Sequence, residues 1–245
     1  MKKTSLAICM ALASGAASAD TILGFDATAG VWMPSYSGDV GQDNFDIEEF
    51  SPAEDNVTFL QAALEHPIPL VPNIMLSHSG IETDGVTRLS DFVEFGDETF
   101  IAGTEVSSNL DLTHTDATLY YEILDNWVNL DIGFTARQYS GELQLDSAFQ
   151  SENIELSGVL PMAYGMARFD LPFSGWSVIA QGNATGYNGD SHTDITAKVR
   201  WDFAPALDFA VEGGYRSMTL DLQELDELES NLDISGPYIG LNLHL

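Results

Sequence analysis

From Tyr238 to Leu245 the chain alternates strictly. Ile239, Leu241, Leu243 and Leu245 share one face, and Tyr238, Gly240, Asn242 and His244 share the other. A period of two is the period of a strand with one apolar and one polar face. The pattern recurs along most of the sequence, which restricts the chain to an all-β fold.

Ten segments carry the alternation. Leu23, Phe25, Ala27, Ala29 and Val31 oppose Asp26 and Thr28 in the first, and Thr58, Leu60, Ala62 and Leu64 oppose Gln61 and Glu65 in the second. Pro67, Pro69 and Pro72 bracket a turn, since proline cannot donate to a ladder. A short third segment runs from about Asn73 to Ser79, its facing open. In the fourth, Leu119, Tyr121 and Ile123 oppose His114, Asp116, Thr118, Tyr120 and Glu122. Asp125-Asn126 turns the chain into the fifth, where Val128, Leu130, Ile132, Phe134 and Ala136 oppose Asn129, Asp131, Thr135 and Arg137.

The sixth, about Gly158 to Leu171, sets Ala163, Ala167 and Phe169 against Tyr164, Arg168 and Asp170. The seventh spans roughly Trp176 to Tyr187, and Asn188-Gly189-Asp190 is a hairpin signal. In the eighth, Ile195, Ala197, Val199, Trp201 and Phe203 oppose Asp194, Thr196, Lys198, Arg200 and Asp202. In the ninth, Phe209, Val211 and Tyr215 oppose Glu212 and Arg216. Segments three and seven are the least clean, so eight strands is the alternative count.

The N-terminus reads as an export signal. Lys2 and Lys3 precede the apolar run Leu6–Leu12, and Ala17-Ser18-Ala19 supplies a small-residue cleavage site, leaving Asp20 first. Cys9 lies inside the apolar run behind bulky Ile8, which disfavours a lipoprotein. Removal of residues 1–19 leaves no thiol for a disulfide, thiolate site or nucleophile. An exported chain whose strands present an apolar face to their surroundings predicts an outer-membrane β-barrel over residues 20–245. A soluble sandwich is the alternative, but it requires neither strands near 10–14 residues nor connections of alternating length.

Connections after segments two, four, six and eight are short. Those after one, three, five and nine are long and acidic, about 37–56, 80–111, 146–155 and 221–233. This is the pattern of short periplasmic turns and longer outer loops, and an even strand number puts both termini in the periplasm. Trp127, Phe173, Trp176, Trp201 and Phe203 would form the periplasmic girdle, and Tyr36, Tyr139 and Tyr187 the outer one.

Charge narrows the partners. The mature chain would carry six basic residues against 38 acidic ones, about −32. That excludes nucleic acid, whose phosphates require clustered Lys and Arg. Arg137, Arg168, Lys198, Arg200 and Arg216 all fall on inward faces, in company with Asp116, Glu122, Asp131, Asp194 and Glu212. An Arg or Lys facing lipid at mid-bilayer costs about 2–4 kcal/mol, so inward placement is expected. In a narrow lumen these charges form either a salt-bridged plug or a thin polar path for small solutes.

The loop carboxylates (Asp43, Asp46, Glu48, Glu49, Glu54 and Asp55; Asp221, Glu224, Asp226, Glu227 and Glu229) form either a solvated rim or weak Ca²⁺ or Mg²⁺ sites, without an EF-hand register. Leu220, Leu222, Leu225 and Leu228 suggest a short amphipathic turn. His114 with Asp116 and His192 with Asp194 could activate a hydroxyl or water, but such spacing arises readily in a chain rich in Asp. No established enzyme motif is present. Gly213-Gly214 lies within a strand, where close contact or a bend explains it better than phosphate binding.

Several stretches carry a family resemblance: residues 65–73 (Glu-His-Pro-Ile-Pro-Leu-Val-Pro-Asn), Asp111 to Asp116 with Leu119 to Glu122, Gly133 to Gln138, Ser157 to Met162, Gly214 to Ser217 and Gly236-Pro237-Tyr238. They resemble an uncharacterised family of Gram-negative outer-membrane proteins labelled by a Gly-Gly motif. The resemblance implies an outer-membrane barrel with no established activity, ligand or cofactor. The final Leu245 departs from the Phe that ends many barrels.

The expectation is therefore a non-enzymatic outer-membrane barrel, structural or a narrow passive pore. Its partners would be membrane lipid and lipopolysaccharide, the barrel-assembly machinery and divalent cations at the loops. Surface binding or adhesion through the loops is the alternative, and a hydrolase a more distant one.

Overall fold

A computed structural model describes residues 23–40, 45–46, 56–187, 190–204, 209–225 and 228–245. The export segment and the carboxylates Asp43, Glu48, Glu49, Glu54, Asp55, Asp226 and Glu227 lie outside the described residues, as do the side chains of 222–230.

All regular structure among the described residues is β. The strands are β1 (Gly24–Trp32), β2 (Ser35–Val40), β3 (Phe45–Asp46), β4 (Val57–Glu65), β5 (Asn73–Ser79), β6 (Glu82–Arg88), β7 (Val93–Phe95) and β8 (Glu98–Phe100). They continue with β9 (Glu105–Asp111), β10 (His114–Leu124), β11 (Val128–Ser147), β12 (Ser151–Leu171), β13 (Trp176–Tyr187), β14 (Asp190–Ala204), β15 (Phe209–Leu225) and β16 (Leu228–His244).

Ten of them close a barrel in the order β1-β4-β5-β10-β11-β12-β13-β14-β15-β16, every neighbour antiparallel, with β16 returning to β1. The closing seam runs from Asp26↔His244 to Trp32↔Tyr238. The last residue completes it: Leu245 N–H donates to Phe25 O at 2.8 Å, and Phe25 N–H to Leu245 O at 2.9 Å. The ten strands coincide with the ten alternating segments, so ten is the count, not eight.

The exterior is an apolar belt. Leu60, Leu76, Leu119, Ile132, Phe134, Ile195, Ile239 and Leu241 are exposed. Trp127, Trp176, Trp201, Phe203 and Phe209 ring the terminal end, the one that carries Leu23 and Leu245, with Trp176 stacked on Trp201.

The far end departs from the sequence reading. The stretches 146–155 and 221–233, expected as long loops, are instead strand at 146–147, 151–155, 221–225 and 228–233. β11 and β12 pair out to Asp146↔Ser151, and β15 and β16 out to Leu225↔Leu228. The stretch 80–111 holds β6 to β9; β6 pairs β9, and β9 pairs the outer part of β11. Likewise β2 continues along β16 beyond the break at Met33-Pro34.

Here the alternation inverts. Below Gly236, Ile239 and Leu241 point out; above it, Leu232 and Ile234 are buried inside while Asn231 and Asp233 face out. Met218 on β15 and Leu145 on β11 make the same switch. Above the belt the exterior is polar, so the apolar residues turn inward, as in a water-soluble sheet. The described acidic residues Glu155 and Asp233 there lie on the solvent face of strands.

This inward apolar material forms a core of Trp32, Tyr36, Val57, Ile81, Leu110, Leu112, Met218, Leu232 and Ile234, with Tyr139, Leu143, Leu156 and Leu220 packed on it. Tyr36 and Tyr139, expected in the outer girdle, therefore belong to the interior. A second cluster (Leu89, Val93, Phe95, Phe100, Val106 and Leu145) lies beneath the β7–β8 hairpin. The lumen, read from sequence as polar throughout, is polar only below this core.

Candidate functional site

Four charged side chains meet directly under the apolar core. Arg137 on β11 stands opposite Asp116 on β10 in the ladder, and its Nε and Nη2 donate to Asp116 Oδ1 and Oδ2, both at 2.8 Å. Nη2 also reaches Asp194 Oδ2 on β14 at 2.7 Å. Arg216 on β15 closes on Asp194 from the other side, Nε to Oδ1 at 2.9 Å and Nη2 to Oδ2 at 2.8 Å. Two guanidinium forks against two carboxylates make a neutral, bidentate cluster. Its members come from strands that face one another across the lumen, and Arg137 is 1% exposed.

The histidines complete it. His192 Nδ1 lies 2.8 Å from Thr219 O and Nε2 lies 2.9 Å from Arg137 Nη1. His114 Nδ1 lies 2.9 Å from Leu112 O, with Nε2 3.5 Å from Arg216 Nη2. Arginine can only donate, so each Nε2 accepts and the ring proton resides on Nδ1, directed at a carbonyl. Neither His pairs with the Asp two residues on. The His–Asp spacing seen in sequence therefore builds an arginine clamp, not an acid–base pair. Trp32 lies against the cluster from above, its ring 4.7 Å from the Arg216 guanidinium and its Nε1–H on Gly236 O.

Below lies a second tier. Lys198 Nζ pairs with Glu212 Oε2 at 3.1 Å, and Tyr238 donates its hydroxyl to Glu212. Gly214 faces Lys198 in the ladder; a Cβ there would stand 2.2 Å from Ala197 O. Gly214 supplies that close approach; a Cβ on Gly213 would meet only an ordinary contact, 3.6 Å from Tyr238 O. Arg200 holds Asp26 at 3.3 Å and Asp202 at 3.1 Å.

The remaining sequence candidates are not brought into the cluster. Arg168 pairs with Asp170 near the terminal end, a quarter exposed. Glu122 accepts from Asn73 at 2.7 Å, and Glu65 accepts from the Tyr120 hydroxyl at 2.9 Å. Asp131 is buried beside them, lining a cavity of about 550 Å³ at the terminal end that also touches Arg168, Arg200 and Lys198. Between this vestibule and the four-charge cluster only about 70 Å³ is open. Among the described residues, no group of three His, Cys, Asp or Glu could hold a metal ion.

Sequence reasoning missed Trp32, His192 as an arginine acceptor, and the apolar cap. The first two faced inward by parity, and that parity was the available signal.

No protein-family model matches the chain, and no curated protein does. Among solved structures it is similar to Ail, the attachment invasion locus protein of Yersinia pestis, in complex with the heparin analogue sucrose octasulfate. The identity is 11% over 91% of this chain and 99% of that one, with a TM-score of 0.35. It is also similar to the Pseudomonas putida toluene transporter TodX, at 10% identity over 95% and 92% of the two chains, TM-score 0.22. At these values the likeness assigns neither ligand nor activity.

Proposed function

We propose that this chain is an integral outer-membrane protein whose barrel is shut across its lumen: a structural barrel, neither an open pore nor an enzyme. The apolar belt, the aromatic ring at the terminal end and the export signal support the location, with lipid and lipopolysaccharide around the belt and the assembly machinery acting on the closing strands. One observation carries the closed state. Arg137 lies across the lumen, held by Asp116 and Asp194, and the apolar core around Trp32 seals the space above it. Ions would have to break a bidentate pair and then cross dry packing. Planar-bilayer recording tests this: the protein should insert without discrete conductance steps, and stable steps in the wild type would overturn the reading.

A second reading, surface binding through the outer end, is favoured by Phe149 and Phe92, which stand exposed there at 86% and 63%. Aromatic side chains are enriched at contact surfaces relative to the rest of a protein's exterior. Deleting residues 90–104 together with Phe149→Ser should abolish any cell or matrix binding while leaving the barrel folded. Binding that survives the deletion would remove this reading.

A further inference from the structure

Among the described residues the wall parts between β12 and β13. The β12–β13 ladder ends at Ala163↔Ala184, although β12 runs on to Ser151 and β13 to Tyr187. Pro161, two residues beyond the last pair, has no N–H to extend it. Between the separated edges lies a crevice of about 380 Å³, within the range of small-molecule sites. Leu112, Tyr139, Leu156, Val159, Leu160 and Leu220 line it.

We infer that this crevice is a binding site for one uncharged, single-chain apolar molecule, entering sideways from the lipid. Three observations choose that occupant. The gap opens where Val159, still on the apolar exterior, gives way to Ser157 and Glu155, so on the membrane placement proposed above hydrocarbon stands at its mouth. Its inner end merges with the core around Trp32, because Leu112 belongs to that core and Tyr139, Leu156 and Leu220 pack on it. An apolar chain there passes from lipid to dry packing without meeting water.

The third observation concerns charge. His192 lines the crevice, but its Nε2 is already occupied by Arg137 and by the Tyr139 hydroxyl at 2.8 Å. Arg137 in turn spends its Nε and Nη2 on Asp116 and Asp194. The cation nearest the floor is therefore already spent on Asp116 and Asp194. An anionic head would find no counter-ion among the described lining residues, and a two-chain lipid has room for only one of its chains.

Gly158 makes the space. It faces Tyr139 across the ladder, and a Cβ built on it meets no atom within 4 Å. Gly158→Phe would therefore fill the crevice without disturbing the backbone. Gly165, on the same strand, is equally open and points to the exterior, so Gly165→Phe is the matched control.

The test is photolabelling with a diazirine-bearing dodecanol, using the full-length mature protein in lipid nanodiscs, with labelled peptides read by mass spectrometry. Labelling at 156–160 and 185–192 should saturate and be displaced by dodecanol, while labelling of the belt rises linearly. Gly158→Phe should lower crevice labelling about tenfold, and Gly165→Phe should leave it unchanged. Heat-modifiable migration on gels checks that both variants are folded. Non-saturable labelling, equal labelling in Gly158→Phe, or stronger displacement by laurate than by dodecanol would each overturn the inference.

Discussion

Arg137 Nη2 sits 2.8 Å from Asp116 Oδ2 and 2.7 Å from Asp194 Oδ2, joining β10 to a strand four places away around the barrel. One nitrogen thus spans the lumen. Each carboxylate is also held by a second guanidinium nitrogen, which fixes both in position. The arrangement explains why Arg137 and Arg216 lie inside: they neutralise Asp116 and Asp194, two carboxylates that cannot reach water.

Removing Arg137 leaves Asp116 buried without its fork and Asp194 with Arg216 alone. Arg137→Ala should destabilise the folded barrel by about 3–5 kcal/mol. Arg168→Ala, whose partner Asp170 is a third exposed, should cost less than about 1 kcal/mol. Urea unfolding in lipid vesicles checks both. Equal losses would mean that the four-charge cluster is no more buried than the rim pair.

The histidine geometry predicts one tautomer. With Arg137 and Arg216 donating to their Nε2 atoms, His192 and His114 should carry the ring proton on Nδ1 at neutral pH. Long-range ¹⁵N–¹H correlation spectra of the labelled barrel distinguish the tautomers. An Nε2–H pattern at His192 would break the link to Arg137.

Membrane placement is testable by two phenylalanines. Phe134 projects from the middle of the belt, 74% exposed, and Phe149 from the β11–β12 turn. Phe134→Arg should cost about 2–4 kcal/mol and Phe149→Arg close to nothing, because the penalty falls with distance from the bilayer midplane. The same pair of unfolding curves would show a reversed order if the belt lay elsewhere.

How much was legible depended on where the alternation kept its phase. From Asp116 to Ile123 and from Ile195 to Phe203 apolar residues are out and polar ones in, and both faces were read correctly. At Gly236-Pro237 the phase reverses, so Leu232 looked like a residue of a polar acidic loop and Ile234 fell outside any strand. The reversal was present in the sequence. A reading that assumes lipid outside at every height takes it as the end of the strand. Pairing in the charge network was also hidden: Asp116 and Arg137 are ladder partners, but the Arg137–Asp194 contact crosses the lumen and depends on barrel diameter. Parity could place Arg168 inside, but it could not place it at the rim.

Trp32 ties the charge cluster to the apolar cap. It is fully buried; its indole N–H donates to Gly236 O at 3.1 Å, and its ring covers Arg216 at 4.7 Å. Trp32→Phe keeps an aromatic ring beside the guanidinium but leaves a buried carbonyl without its donor, at a cost of about 1–3 kcal/mol. Trp32→Ala also opens a cavity in the cap and should cost about 3–5 kcal/mol. If the cap is what seals the lumen, only Trp32→Ala should produce conductance steps in planar bilayers, with Trp32→Phe as silent as the wild type. Steps from both variants would locate the seal in the indole hydrogen bond, and silence from both would locate it in the Arg137 clamp below.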